Sequence, residues 1–316
     1  MNKHKIFIDG AAGTTGLRLH DRLARADDIE LLSLLDADRK DLDKRLAMVD
    51  KADVTVLCLP DDEAKKICEL APKSAKICDT STAHRTNADW VYGLAELSGQ
   101  KDKIKTATRV ANAGCHATGF ISLVRPLVEK RAILPTTQLS CQSLTGYSGG
   151  GKAMIGEYEN SDRADKYNAP RLYGMALNHK HLPEMRAMTG LVHSPLFTPV
   201  VGDFYSGMLV CVPLFIHQFN ETFQSGQAIC DLLSNYYQGN PLIRVRPFGV
   251  CPDDNMLNAN ALSGYDDMQI FVYANGEQIL LASRFDNLGK GASGSALQCV
   301  NLMLGRDELA GLKLSE

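Results

Sequence analysis

Ile6-Phe7-Ile8-Asp9-Gly10-Ala11-Ala12-Gly13-Thr14-Thr15-Gly16 is the stretch on which the fold turns. Three apolar residues make a short strand, the glycines a turn, and residues 17–26 a helix with Leu17, Leu19 and Leu23 toward its buried side. Strand, glycine turn and helix in this order present backbone N–H groups to a pyrophosphate. The spacing is GxxGxxG rather than GxGxxG, and tight turns need glycine for structural reasons alone. Its place directly after the first strand gives the motif its weight.

The alternation continues. Residues 29–35 read as a strand, 41–49 as a helix, 54–59 as a buried strand and 76–79 as another strand. Pro60-Asp61-Asp62-Glu63 opens a further helix with acids in its first turn, as the helix dipole prefers. Strands alternating with helices predict a Rossmann-like parallel sheet covered on both faces. After the second strand an acid would pair with a ribose hydroxyl and a base with a 2′-phosphate. The chain offers Asp36 and then Asp38-Arg39-Lys40, so Arg39 and Lys40 favour NADP; a solvated turn explains the same charges. In Asp79-Thr80-Ser81-Thr82-Ala83-His84-Arg85-Thr86, hydroxyls beside an arginine suit an oxyanion, or else form a polar, capped loop.

Asn112-Ala113-Gly114-Cys115-His116-Ala117-Thr118-Gly119 sets one cysteine between a strand-like and a helix-like run. A thiol in the first turn of a helix faces unpaired N–H groups, which lower its pKa, so Cys115 reads as a nucleophile. The competing reading is a small buried hydrophobe.

Beyond a helix interrupted at Pro126 the pattern becomes that of an antiparallel or mixed sheet. Strands are expected at 138–144, 196–201, 208–215, 268–273 and 278–282, with one clear helix at 222–237 and a hairpin signal at Asn275-Gly276. Thr145-Gly146-Tyr147-Ser148-Gly149-Gly150-Gly151-Lys152 is either a linker or a fold of backbone donors round an anion. In Asn178-His179-Lys180-His181-Leu182-Pro183-Glu184-Met185, Pro183 fits the first position of a short helix ended by Gly190. His181 at its entry is a candidate general acid or base, with His179 on the same side and Glu184 to orient it. Capping is the plainer role, and a metal site lacks a convincing third and fourth ligand. Asp286-Asn287-Leu288-Gly289-Lys290-Gly291-Ala292-Ser293-Gly294 leads into a small-residue helix that packs tightly or lies against a flat cofactor ring.

A chain of 316 residues, 45% hydrophobic and 22% charged, supports two cores. Its net charge of −3 without charge blocks gives no reason to expect nucleic acid or a membrane surface as partner. Nine cysteines with no CxxC pair suit a reducing compartment. The early first strand leaves no room for a signal peptide, and no apolar run reaches spanning length, so a cytoplasmic protein is expected.

The order GAAGTTG, STAHRT, NAGCHATG, GYSGGGK, HKHLPEM and DNLGKGASGSA resembles the N-acetyl-γ-glutamyl-phosphate reductase family of arginine biosynthesis, in its shorter form, from Gly10 to about Met303. Aspartate-semialdehyde and glyceraldehyde-3-phosphate dehydrogenases are the wider relatives. The longer form has NPGCYPT and HRHTPE, so His116 stands where that form has tyrosine. Thr145 stands where the aspartate-semialdehyde relatives have glutamine, which argues for the acetylglutamyl substrate.

The resemblance implies a Rossmann domain at 1–114 with 291–316, and a glyceraldehyde-3-phosphate-dehydrogenase-like catalytic domain at 115–290. It implies that Cys115 attacks an acyl phosphate to give a thioester, which NADPH reduces to the semialdehyde. His181 is then the acid/base, Glu184 its orienter, and His179, Arg85, Ser81 and Lys152 substrate contacts. The cofactor contacts are Gly10, Gly13, Thr14, Thr15, Gly16, Arg39, Lys40, Ser148, Gly149, Asn287 and Gly289. A homodimer or homotetramer without a metal is expected. The alternatives are another semialdehyde dehydrogenase of the superfamily, an NADP-binding thiol redox sensor, or a thiol hydrolase.

Overall fold

A computed structural model describes residues 3–315. The chain divides into two units: the residues up to Gly114 with Ala292–Lys313, and Cys115–Gly291 with Leu314 and Ser315.

The first unit opens as β1 (His4–Asp9), α1 (Thr14–Leu23), β2 (Ile29–Leu32), α2 (Leu42–Lys51), β3 (Val54–Leu57), α3 (Asp61–Leu70), β4 (Ile77–Asp79), β5 (Val91–Gly93), α4 (Gln100–Thr106) and β6 (Arg109–Asn112). Its sheet has the order β2-β1-β3-β4-β6-β5, with every pairing parallel. Parallel strands buried on both faces read as continuous apolar runs, and all four residues of β3 are buried. On one face Ile6, Ile8, Val54 and Val56 pack with Leu19 and Leu23 of α1. On the other, Phe7, Leu57 and Ile77 pack with Val49, Ala64 and Ile67 from α2 and α3.

Helix α1 starts at Thr14, earlier than residue 17, so Leu17 turns outward at 47% exposure. Gly16 is drawn into the first turn, where a Cβ would lie 2.7 Å from the Gly10 carbonyl oxygen. Asp41 starts α2 by accepting the Asp43 and Lys44 N–H groups.

The second unit runs α5 (Cys115–Glu129), β7 (Ser140–Gly146), α6 (Gly151–Glu159), β8 (Arg171–Leu172), α7 (Leu182–Thr189), β9 (Leu196–Gly202), β10 (Met208–Phe215), α8 (Gly226–Tyr236), β11 (Ile243–Val245), α9 (Pro252–Asn255), β12 (Met268–Asn275) and β13 (Gln278–Phe285). A turn of π-helix, Gly289–Ser293, then leads into α10 (Gly294–Leu304), which returns to the first unit. The seven-stranded sheet has the mixed order β11-β12-β13-β10-β7-β9-β8. The hairpin is where it was expected, but its two-residue loop is Gly276 and Glu277, with Asn275 paired to Gln278. Glycine 119 lets α5 lie on this sheet: a Cβ there would fall 2.5 Å from Val210 and 2.9 Å from Phe285.

Pro126 does not interrupt α5, which runs through it to Glu129. A proline inside a helix removes the N–H that would bond the carbonyl four residues earlier. Here that carbonyl is Ser122, and Tyr237 Oη donates to it at 2.8 Å from the end of α8. Tyr237→Phe should therefore lower the stability of the unit by about 1–3 kcal/mol, the cost of a buried acceptor left bare. A lower urea midpoint with little change in turnover is the expected readout.

Candidate active site

Cys115 is the first residue of α5, a fifteen-residue helix, and is partly exposed. The N–H groups of that first turn and the dipole favour its thiolate. Most of the other thiols are held protonated by burial, which pushes Cys58 and Cys68 up to about 12 and Cys211 to about 11. Gly291 packs directly on the nucleophile candidate, since a Cβ there would sit 2.8 Å from that of Cys115.

The histidine pair of the second unit gathers with His116. Ring centroids of His116 and His181 lie 5.3 Å apart, of His116 and His179 5.7 Å, and of His179 and His181 4.9 Å. Leu182 is the first residue of α7 and Pro183 the second, with Gly190 closing the helix in the left-handed region (φ 81°). His181 precedes the helix, and its side chain makes no capping bond. Instead, its backbone N–H donates to His179 Nδ1 at 3.3 Å, which leaves the proton of a neutral His179 on Nε2. Burial, and then the Lys180 charge, lower the His179 pKa. Glu184, buried one turn into α7, stands 3.8 Å from His181 Nε2, within Coulomb reach and beyond a hydrogen bond.

His116 is buried, with Nδ1 2.7 Å from Ser143 Oγ and Nε2 2.8 Å from Tyr173 Oη. Burial, followed by the charges of His179 and Lys180, lowers its pKa from 6.5 to about 3. Between those two values the unfolded chain binds a proton at His116 and the folded chain does not. Stability therefore rises with pH across that window and falls on acidification, by up to about 1.4 kcal/mol per pH unit. Unfolding free energies of the His116→Gln protein, taken between pH 6.5 and 4, should show a slope flatter by up to about one proton.

Several expected contacts are committed elsewhere in their own unit. Ser81 Oγ donates to Asp79 at 2.6 Å, while His84 Nδ1 meets the same carboxylate at 2.7 Å. Arg85 donates from Nε to the Asn112 carbonyl and from Nη2 to that of Thr80, both at 3.0 Å. Arg39 pairs with Asp36 at 2.8 Å in the open, and Lys40 is exposed beside it. Lys152 is exposed on α6. Ser148 and Asn287 come together: Asn287 Nδ2 donates to Ser148 Oγ at 3.1 Å, and Oδ1 accepts the Gly207 N–H at 2.8 Å. Gly149 adjoins that amide, whereas Gly289 is glycine for packing, because a Cβ would meet the Tyr265 carbonyl at 2.0 Å.

The glycine loop divides by role. Gly10 has φ +88°, and a Cβ would strike the Cys58 carbonyl oxygen at 2.3 Å. At Gly13 a Cβ would meet only the Gly10 carbonyl oxygen, at 3.6 Å, so packing within the chain does not demand glycine there. Glycine at this position leaves room for a phosphate. No side chain caps α1, and no acid lies in its first turn, which begins with Thr14 and Thr15, so its N–H groups fit a dinucleotide pyrophosphate. Arg45 is not available to that ligand. It donates to Asp9 at 2.9 Å and to Glu63 at 3.0 Å.

Tyr173, Ser143 and the Asp9–Arg45 pair escape sequence reading, because no spacing rule ties a lone tyrosine, serine or arginine to a motif far along the chain. Among the described residues no helix is long and apolar enough to cross a membrane. No group of three or more metal-binding side chains is found among them either.

Residues 5–107 match the family model of the semialdehyde dehydrogenase NAD binding domain, and residues 115–287 that of the semialdehyde dehydrogenase dimerisation domain. N-acetyl-gamma-glutamyl-phosphate reductase 2 of Nostoc sp. is 44% identical over 323 residues, covering 99% of this chain and all of that protein. The N-acetyl-gamma-glutamyl-phosphate reductase of Brucella ovis is 43% identical over 96% of this chain and all of its own length. In fold the chain is similar to aspartate semialdehyde dehydrogenase II of Vibrio cholerae complexed with ASA, with a TM-score of 0.71 at 15% identity, over 96% of this chain and 99% of that one. The same enzyme of Candida albicans, solved with NADP, gives a TM-score of 0.65 at 15% identity over the same shares. With a Rossmann-like parallel sheet, a mixed-sheet second unit, a nicotinamide-cofactor domain and full-length relatives of one name, the chain belongs to the N-acetyl-gamma-glutamyl-phosphate reductase family of semialdehyde dehydrogenases.

Proposed function

We propose that this chain reduces N-acetylglutamyl 5-phosphate to N-acetylglutamate 5-semialdehyde and phosphate, using NADPH, in arginine biosynthesis. The observation that carries the reading is 43–44% identity over nearly the whole chain to enzymes of that name. The geometry of the second unit supports it. A partly exposed thiol at a helix start serves as nucleophile, and two histidines gather round the ring of His116, the residue that follows it.

Cys115 as thiolate attacks the acyl carbon, and the C–O bond to phosphate breaks, leaving a thioester. N–H groups of the first turn of α5 steady the oxyanion of the tetrahedral species. A nicotinamide cofactor held by the glycine loop of the first unit would supply the hydride that turns the thioester into a thiohemiacetal. His181 gives a ring proton to the oxyanion and takes one back as the C–S bond breaks, returning the thiolate. Glu184 favours the charged form of His181 across 3.8 Å. Neutral His179, its Nδ1 held by the backbone, offers a donor to the substrate.

Arg85, Ser81 and Lys152 are the proposed charge and polarity for the substrate's anionic groups. Arg85 and Ser81 do this as a frame already braced on Asn112, Thr80 and Asp79. Gly10, Gly13, Thr14, Thr15 and Gly16 are assigned to the pyrophosphate, Arg39 and Lys40 to the 2′-phosphate, and Ser148, Gly149, Asn287 and Gly289 to the rest of the cofactor. The second family model is that of a dimerisation domain, which supports a homo-oligomer, and we assign a homodimer or homotetramer in the cytoplasm.

The reaction is tested in reverse, which avoids the unstable acyl phosphate. Purified protein, NADP and N-acetylglutamate 5-semialdehyde should generate NADPH only when phosphate is added. Turnover with aspartate semialdehyde or a differently blocked glutamate semialdehyde instead would overturn the substrate. Silence with every aldehyde despite tight NADP binding would overturn the enzyme.

A further inference from the structure

His116 is a buried titratable group that the proposed chemistry leaves unused. It follows Cys115 in α5 and is enclosed by His179, His181, Tyr173 and Phe197. Both ring nitrogens are engaged, by Ser143 and by Tyr173. A neutral imidazole in that position donates through one nitrogen and accepts through the other. Which nitrogen donates decides what Tyr173 can do. If Nε2 accepts the phenolic proton, Tyr173 turns only lone pairs to any neighbouring anion. If Nε2 donates to Oη and Ser143 donates to Nδ1, the phenolic proton is released for a second bond. Tyr173 Oη is bonded to the residue that follows Cys115 in α5, and burial, then the charge of Cys115, raises the phenol's pKa, so the phenol stays protonated. A negative charge formed at Cys115 would favour the tautomer that leaves Tyr173 a donor.

We propose that His116 is a positioning residue for the Cys115 chemistry: donating from Nε2 to Tyr173 Oη and accepting from Ser143, it holds the phenol as a hydrogen-bond donor to the negative charge formed at Cys115. The proposal deepens the reductase reading and rests on Cys115 as its nucleophile.

The test reads the thiol and the turnover separately. Wild type, Tyr173→Phe, His116→Asn, His116→Gln and the His116→Asn/Tyr173→Phe double variant are alkylated with iodoacetamide at pH 7 without substrate. The rate is read by mass spectrometry on the Cys115 peptide, and kcat comes from the reverse assay. Tyr173→Phe and His116→Asn should each slow both by about tenfold, the effect of one hydrogen bond to a charged group. The double variant should lose no more than either single variant, because the two residues act as one unit. Glutamine can place an N–H where Nε2 stood, so His116→Gln should stay within about threefold of wild type.

Losses that multiply in the double variant, or asparagine and glutamine variants that behave alike, would overturn the proposal and reduce His116 to packing. Should His116→Asn fail to fold by circular dichroism, Tyr173→Phe alone and combined with His116→Gln carries the comparison. In that pair, wild-type alkylation in Tyr173→Phe would overturn the proposal. A wild type silent with every semialdehyde that still shows the alkylation pattern would remove the substrate assignment and leave this inference standing.

Discussion

Cys115→Ala is expected to abolish phosphate-dependent NADP reduction, by a factor of about 10⁴ or more in kcat, because no thioester can form. The protein itself should survive the change. Cys115 is partly exposed at a helix start, and its neighbour Gly291 presents no side chain to be left without support. An unaltered melting temperature and undiminished NADP binding, measured alongside the lost turnover, would locate the defect in the chemistry. A turnover within tenfold of wild type would end the covalent mechanism. Cys115→Ser is a sharper form of the same test, because a serine hydroxyl stays protonated and weakly nucleophilic at neutral pH, and an alkoxide is a worse leaving group than a thiolate.

The second large effect belongs to His181. Replacing it by asparagine should lower kcat by about 10²–10⁴, the usual contribution of general acid/base catalysis, with a smaller change in KM. His181 is buried, so water substitutes poorly for it. Glu184→Gln should cost far less, about tenfold at most. At 3.8 Å the carboxylate acts on His181 through charge rather than through a hydrogen bond between the two. If Glu184→Gln matched His181→Asn in severity, Glu184 would itself be moving protons and the assignment would have to be reversed.

The parallel sheet was legible because strands buried on both faces leave uninterrupted apolar runs, as in Val54-Thr55-Val56-Leu57. Helix starts were less legible. Gly16 was read as turn, because glycine is a poor helix former, yet it lies inside α1, pressed against the loop. Pro126 was read as a break because its compensation comes from Tyr237, which no local pattern announces.

The site divides the same way. Cys115, His179, His181 and Glu184 stand in two short motifs, and the resemblance to the reductase family suggested their grouping. Ser143 and Tyr173 join them only through strand register and a loop, and reach His116 from two sides. At Arg39 and Ser81 the residue types suited ligands, and no signal in the sequence marked Asp36 and Asp79 as the partners that hold them in the fold.

The bond from Tyr237 to Ser122 also bears on the order in which the second unit can form. A helix normally completes its hydrogen bonds with residues a turn away, but α5 waits for a hydroxyl 115 residues further along the chain. Until α8 docks, the Ser122 carbonyl of α5 has only water to bond, and its protein donor arrives with Tyr237. Amide protons of α5 and α8 should therefore exchange together, as one cooperative block. The helix that carries the thiol thus completes its protein hydrogen bonds only once the chain has closed over more than a hundred residues.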